Sequence, residues 1–204
     1  RLSKSISGGL ASAVMLAAFA IAVTQVMALA ALPEGSREIS QTVFAWIKSG
    51  DFLLDLTFRL DPLSAVMILV ITGIGSLIHI YSTAYMHEET DSDYARFFSY
   101  LNLFVAFMLL LVLGSNFLVM FVGWEGVGLA SYLLIGWDDR DPNARSSALQ
   151  ALLTTGAGGL VMLVGFVLLG QAAGTYELSA IVVDPPGGTT VSVALVCILV
   201  GAFT

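Results

Sequence analysis

Forty consecutive residues, Phe97 to Gly136, carry a single charged side chain, Glu125. As one helix such a run would extend roughly 60 Å, about twice the hydrocarbon thickness of a bilayer, so a hairpin of two membrane-spanning helices is required. Gly114-Ser115-Asn116 is the natural break, with Gly ending the first helix and Asn capping the second. Gly8 to Leu32 offers 25 residues without a charge, and Leu63 to Met86 offers 24 in which only His79 can become charged. Arg1 and Lys4 before an apolar stretch ending Met27-Ala28-Leu29-Ala30 mimic a signal peptide. The run is much longer than a signal core of about 7 to 15 residues and is read as a transmembrane helix.

The predicted helices are about 8–32, 63–86, 97–113, 116–136, 148–170 and 190–204, the last cut short, with an extracytoplasmic segment over 33–62. The expected fold is an all-α polytopic membrane protein, one membrane domain over 1–204 with five complete transmembrane helices and part of a sixth. With no initial methionine and an apolar run still open at Thr204, the chain reads as a fragment. Composition agrees: 57% of residues are hydrophobic and 11% charged, against about 25% charged in soluble domains. A net charge of −7 argues against nucleic acid as a partner, and eight Lys and Arg leave no basic patch for a phosphate backbone. Cys197 is the only cysteine and sits in an apolar run, which excludes an internal disulfide or a cysteine metal cluster. There is no Gly-rich phosphate loop, no metal-ligand spacing and no nucleophile with a base nearby, so no catalytic residue, cofactor or metal site of the chain's own is expected.

Alternating the helices puts Arg1, Lys4, Arg96, Arg140 and Arg145 on one side and Arg37, Lys48 and Arg59 on the other. By the positive-inside rule the amino-terminal end is cytoplasmic. Glu34 to Asp61 then lies outside, and residues 46–62, WIKSGDFLLDLTFRLDP, alternate like a short strand or an interfacial hairpin. The Asp138–Asn143 loop and the acidic run Glu88, Glu89, Asp91 and Asp93 read as solvated surface.

Glu125 is the tenth of 21 residues from Asn116 to Gly136, close to the bilayer midplane. An ionised acid at that depth costs about 3 kcal/mol or more on insertion scales. Two roles fit: a proton carrier whose occupancy follows a nearby cation, or a permanently protonated acid bonding a neighbouring helix. Gly123, Gly126 and Gly128 flank it, and together with Trp124 and Ser131 they are expected to line a channel or pack helices. Ser131 and Tyr132 read as interhelical hydrogen-bonding groups. No Lys or Arg falls within a span, so the basic partner of Glu125 is not in this sequence. His79, about seven residues from its helix end, is either a proton relay or a neutral imidazole bonding a backbone carbonyl.

Arg96-Phe97-Phe98-Ser99-Tyr100-Leu101-Asn102-Leu103-Phe104, Gly123-Trp124-Glu125-Gly126-Val127-Gly128-Leu129 and Ser131-Tyr132-Leu133-Leu134-Ile135-Gly136 resemble subunit L of NADH-quinone oxidoreductase, respiratory complex I. Leu60-Asp61-Pro62-Leu63-Ser64 and Leu77-Ile78-His79-Ile80-Tyr81 resemble the third helix of subunit L, and most of the region from Asp51 onward is covered. The resemblance implies an antiporter-like bundle that moves protons in a bacterial inner membrane alongside other membrane subunits, driven by quinone reduction elsewhere. It also implies that Glu125 pairs with a lysine of the family's seventh helix and that the family's first helix is missing here. Where subunit L has Arg-x-Gly-Asp, this chain has Gly156-Ala157-Gly158-Gly159. That run, and the ending Gly201-Ala202-Phe203-Thr204, resemble the Mrp-type sodium/proton antiporters, in which Lys-Ser-Ala-Gln follows at once. Gly-Trp-Glu-Gly-Val-Gly departs from the Phe-Trp-Glu-Leu-Thr-Ser of that family. Two alternatives follow: sodium/proton exchange without a redox partner, and a structural role in the membrane without transport.

Overall fold

The structure, a computed structural model, describes residues 3–50 and 52–204. The expected place of Arg1 beside Lys4 lies outside the described residues, as does Asp51, where the family resemblance begins. The elements in chain order are α1 (Lys4–Ala30), β1 (Ile39–Ser49), β2 (Phe52–Leu60), α2 (Pro62–Tyr85), α3 (Asp91–Leu113), α4 (Phe117–Ile135), α5 (Pro142–Ala173), α6 (Leu178–Val183) and α7 (Thr189–Ala202). Helices α1 to α5 are each long and apolar enough to cross a bilayer; α7, at 14 residues, is shorter.

Two helices start six residues before the apolar runs that announced them. The α3 helix begins at Asp91 because the Thr90 side chain accepts a hydrogen bond from the Asp93 amide at 3.2 Å. Asp91 and Asp93 then occupy the first turn, where the helix dipole favours anions. The α5 helix begins at Pro142, with the Asp141 carboxylate accepting from the Asn143 amide at 2.9 Å and proline at a position that has no amide to satisfy. Helix α6 interrupts the connection expected to be a plain loop.

Helix α2 is patterned inside out. Leu63, Val66, Val70, Ile74, Leu77 and Tyr81, at helical spacing, are exposed, while Ala65, Ile68, Thr72, Ser76, His79 and Ser82 are buried. In a bilayer the aliphatic face meets lipid and the small or polar face packs against protein. Two of the buried hydroxyls are satisfied on their own helix: Thr72 Oγ1 donates to Ile68 O at 2.6 Å and Ser76 Oγ to Thr72 O at 2.7 Å. Helix α1 packs on α2 and α3, α3 on α4, α4 on α5, and α5 on α7.

One end of the bundle is closed by the hairpin β1–β2, antiparallel from Ile39 opposite Leu60 to Ser49 opposite Phe52. It begins seven residues earlier than the alternating pattern suggested. The turn between α3 and α4 is fixed to it. Ser115 N donates to Thr57 O at 3.1 Å, and the fully buried Asn116 donates from Nδ2 to Asp55 O at 3.0 Å while its Oδ1 accepts from Val119 N. Phe117 N donates to Tyr176 O, and Leu178 N to Ser115 O. Asn116 is therefore a helix cap and a cross-link in one side chain.

Asp61 caps α2. Its Oδ1 accepts from Ser64 N at 2.8 Å, and Ser64 Oγ in turn accepts from Asp61 N at 2.8 Å. Burial pushes the Asp61 carboxyl up, but the donations its Oδ1 receives from Ser64 N and from Ser64 Oγ, each at 2.8 Å, together with the Arg59 charge outweigh it and hold the group below the usual carboxylate range. A lowered folded-state value means that the cap stabilises above the unfolded value near pH 4 and is lost as pH falls through the folded one. Asp61→Ala should cost about 1 kcal/mol and remove this acid sensitivity, read from amide exchange in the first turn of α2 at pH 3 and pH 6.

At the other end, Asp93 is buried rather than solvated, which corrects the reading of that acidic run. Arg140 reaches its carboxylate at 2.5 Å and Arg96 at 3.1 Å; Arg96 also donates to Trp137 O at 2.8 Å and stands 3.8 Å from Asp139. Lys4 Nζ donates to His87 O at 2.9 Å at the same end.

Candidate functional site: Glu125 in the α4–α5 seam

Residues 123–128 share out three sides of α4. A Cβ built on Gly123 would come within 2.5 Å of Leu111 N, and one on Gly126 would run into the Phe107 ring, so both glycines are filled by α3. Of the two expectations for Gly123 and Gly126, lining a channel or packing helices, this face shows the packing. Trp124 packs on the buried cluster of Phe117, Met162, Phe166, Val191 and Ala194. Gly128 and Glu125 face α5: a Cβ on Gly128 would stand 3.2 Å from Thr155 Oγ1, and one on Gly159 would overlap Glu125 Oε1.

The carboxyl of Glu125 thus occupies the volume that a side chain at 159 would take. Oε1 is buried and has no hydrogen-bond partner among the described residues. An unpartnered acceptor of this kind costs about 1–3 kcal/mol and makes an unusual packing element. The departure at Gly159 now has a physical reading: the room left by the absent side chain seats the glutamate. Next to that seat, Gly158 lies against the Thr204 hydroxyl, and Gly201 packs on Gly158 O, so the end of α7 adjoins the Glu125 site.

Ser131 does not bond a neighbouring helix. Its Oγ donates to Val127 O of its own turn at 2.8 Å. His79 is fully buried, with Nδ1–H donating to Gly75 O at 2.7 Å and Nε2 unpartnered among the described residues. The backbone bond matches one of the two roles considered for it, and the bare Nε2 leaves a proton acceptor available for the other. His79 and Glu125 are not brought together: α3 packs between α2 and α4, and the His79 ring lies 6.1 Å from that of Phe98 on α3. Sequence reasoning missed Thr155. Its one available signal was a hydroxyl four residues before Gly159, on the same face of α5.

Residues 46–98 match the family described as NADH-ubiquinone oxidoreductase (complex I), chain 5 N-terminus, and residues 114–204 match the one described as NADH:quinone oxidoreductase/Mrp antiporter, TM. NADH-quinone oxidoreductase subunit L of Mycobacterium tuberculosis (strain ATCC 25618 / H37Rv) is 42% identical over 180 residues, 88% of this chain and 28% of that protein. NADH-ubiquinone oxidoreductase chain 5 of Hypocrea jecorina is 34% identical over 199 residues, 95% of this chain and 28% of that one. Among solved structures, the Mrp complex from Dietzia sp. DQ12-45-1b superposes with a TM-score of 0.74 at 30% identity, covering 98% of this chain and 22% of that one. The chain spans about a quarter of the length of the relatives it matches. With its apolar spans and its WEG segment on α4, the chain belongs to the antiporter-like family of multi-pass membrane proteins that includes NADH-quinone oxidoreductase subunit L and the Mrp antiporters.

Proposed function

We propose that the chain moves protons across a bacterial inner membrane as part of an antiporter-like subunit of NADH-quinone oxidoreductase, with Glu125 as the carrier. The observation that carries this reading is the buried, unpartnered Glu125 Oε1 in the α4–α5 seam. A carboxyl there has its charge state set by whatever cation approaches: a nearby positive charge favours the carboxylate, and withdrawing it favours the acid. Thr204 lies against Gly158, next to the seat at Gly159, and the family resemblance implies a lysine partner for Glu125. Gly123, Gly126 and Trp124 pack the helices that hold the carboxyl, Gly128 lets Thr155 approach, and Gly159 gives the carboxyl room.

The orientation we propose has the Lys4, Arg96, Arg140 and Arg145 end in the cytoplasm and the hairpin outside, following the bias of basic residues. His79 serves as a separate relay on the α2 side of α3. His79→Gln, which keeps a hydrogen bond and loses titration, should lower transport severalfold without changing assembly, and unchanged transport would remove it from the path.

The deciding experiment uses everted membrane vesicles of the intact complex. NADH-driven proton uptake that needs no sodium and disappears in Glu125→Gln is the expected result. Sodium/proton exchange in the absence of NADH would overturn the redox reading in favour of an Mrp-type antiporter, a reading that the Dietzia similarity and the Gly156–Gly159 run support.

A further inference from the structure

Six hydroxyls of the membrane helices bond their own backbone one turn back. Thr72, Ser76, Ser99, Ser131, Thr154 and Thr155 each donate to the carbonyl four residues earlier. Ser12 on α1 departs from this habit: its Oγ is buried and has no hydrogen-bond partner among the described residues. The orphaned His79 Nε2 belongs to α2, the helix packed against it. These helices meet at Gly75, where a Cβ would stand 2.8 Å from Met15 Cε, and at Gly73, where one would stand 3.1 Å from the Phe19 ring. Three residues back from Met15 along α1 is Ser12, and four residues on from Gly75 along α2 is His79. Both steps are one turn, taken in the same direction and on the same faces, so the two orphans share a level of the seam. Helix α3 walls it: Phe98 shares a buried cluster with Ala11, the neighbour of Ser12, and its ring lies 6.1 Å from that of His79.

We infer that Ser12 Oγ and His79 Nε2 share one buried water between α1 and α2, and that Ser12 is the positioning residue that presents this water to the imidazole. The inference rests on His79 being a relay and adds the group that hands it the proton. Nδ1–H is committed to Gly75 O at 2.7 Å, so Nε2 carries the lone pair and can only accept. Ser12 Oγ–H can donate, but the two atoms are not bonded to each other. A water that accepts from the serine and donates to the imidazole satisfies both, and two partners suffice for a buried water. Turning the hydroxyl back to Gly8 O would satisfy Ser12 and leave Nε2 bare, so only the bridge answers for both orphans. Tyr94 of α3, whose hydroxyl lies against Gly8 and donates to Thr83 O at 3.4 Å, is neutral near physiological pH and adds no charge to the site. When a proton arrives, an O–H bond of the hydronium at this position breaks and an N–H bond forms at Nε2. The water left behind stays on Ser12, which keeps its own proton.

The test is an electron cryomicroscopy map of the intact complex at a resolution that shows ordered water. The expected result is one solvent peak at about 2.7–3.2 Å from both Ser12 Oγ and His79 Nε2. Ser12→Ala and Ser12→Cys should lose the peak and Ser12→Thr should keep it. Cysteine nearly matches serine in size and is a weak donor, so loss in Cys with retention in Thr separates the hydrogen bond from packing. NADH-driven proton uptake in Ser12→Ala and Ser12→Cys should fall by the same severalfold as in His79→Gln, and Ser12→Thr should transport like the parent. The Ser12→Ala, His79→Gln double variant should be no lower than His79→Gln alone, because both changes remove one step. No peak in the parent, a Ser12 hydroxyl bonded to Gly8 O, a peak that persists in Ser12→Ala, or additive losses in the double variant overturns the inference. If the peak behaves as expected while His79→Gln transports like the parent, the relay fails and the water site stands. If His79→Gln lowers transport and the parent has no peak, the relay stands and the water site falls.

Discussion

Glu125→Gln in the intact complex is expected to lower NADH-driven proton transport by about a hundredfold, the lower range for loss of a group that takes up and releases protons, while the complex still assembles. The amide keeps the size and shape of the side chain, so the seat against Gly159 stays filled and the α4–α5 contact is unchanged. What is lost is only the capacity to bind and release a proton. Glu125→Asp separates chemistry from position: it titrates, but one methylene fewer withdraws the carboxyl from Gly159. A reacting group misplaced by about 1 Å loses up to a hundredfold, so transport about tenfold below the parent is expected for Asp, between the parent and Gln. Vesicle acidification at fixed NADH oxidation rate measures both. If Gln and Asp transport equally and near the parent level, Glu125 is a packing residue and the chain is structural at this position.

The membrane spans were legible in the sequence because a bilayer makes one demand that composition alone can meet, namely a long run without charge. The break at Gly114-Ser115-Asn116 was legible too, since Asn caps a helix by its own side chain. Boundaries that rest on polar first turns were not. Asp91 to Arg96 belong to α3 because Thr90 caps it and because Arg96 and Arg140 neutralise Asp93, an arrangement drawing on residues 47 apart. The charge at Glu125 was equally legible, and its surroundings were not. A run such as GWEGVG marks close approach without saying by what, and only the packed structure divides it into Gly123 and Gly126 against α3 and Gly128 against α5. The expectation that Ser131 reaches a neighbour failed for a local reason, since a serine in a helix can bond the carbonyl one turn back. His79, read as a relay or a neutral imidazole, belongs to α2, and α3 packs between that helix and the α4 of Glu125.

Gly123→Ala should destabilise the α3–α4 pair by about 3 kcal/mol, at the upper end of overpacking effects, although the same substitution at Gly156 should be neutral or stabilising. Both glycines sit inside membrane helices, and replacing either by alanine improves helix propensity by up to about 1 kcal/mol. The difference lies in what the new methyl meets. At 123 it would stand 2.5 Å from Leu111 N and 2.6 Å from Leu111 Cα, which are backbone atoms that no rotamer change can move. Helices α3 and α4 must then separate, and the contacts on either side, including Gly126 against Phe107, open with them. At 156 there is nothing within 4 Å, so the propensity gain stands alone. Gly126→Ala falls between the two, because the Phe107 ring that blocks it is a side chain able to turn. The thermal midpoints of the purified complex should therefore rank Gly156→Ala highest, then Gly126→Ala, then Gly123→Ala. A Gly123→Ala midpoint equal to that of Gly156→Ala would mean that α3 and α4 do not meet at this register, and the seat proposed for Glu125 on the adjoining face would have to be redrawn.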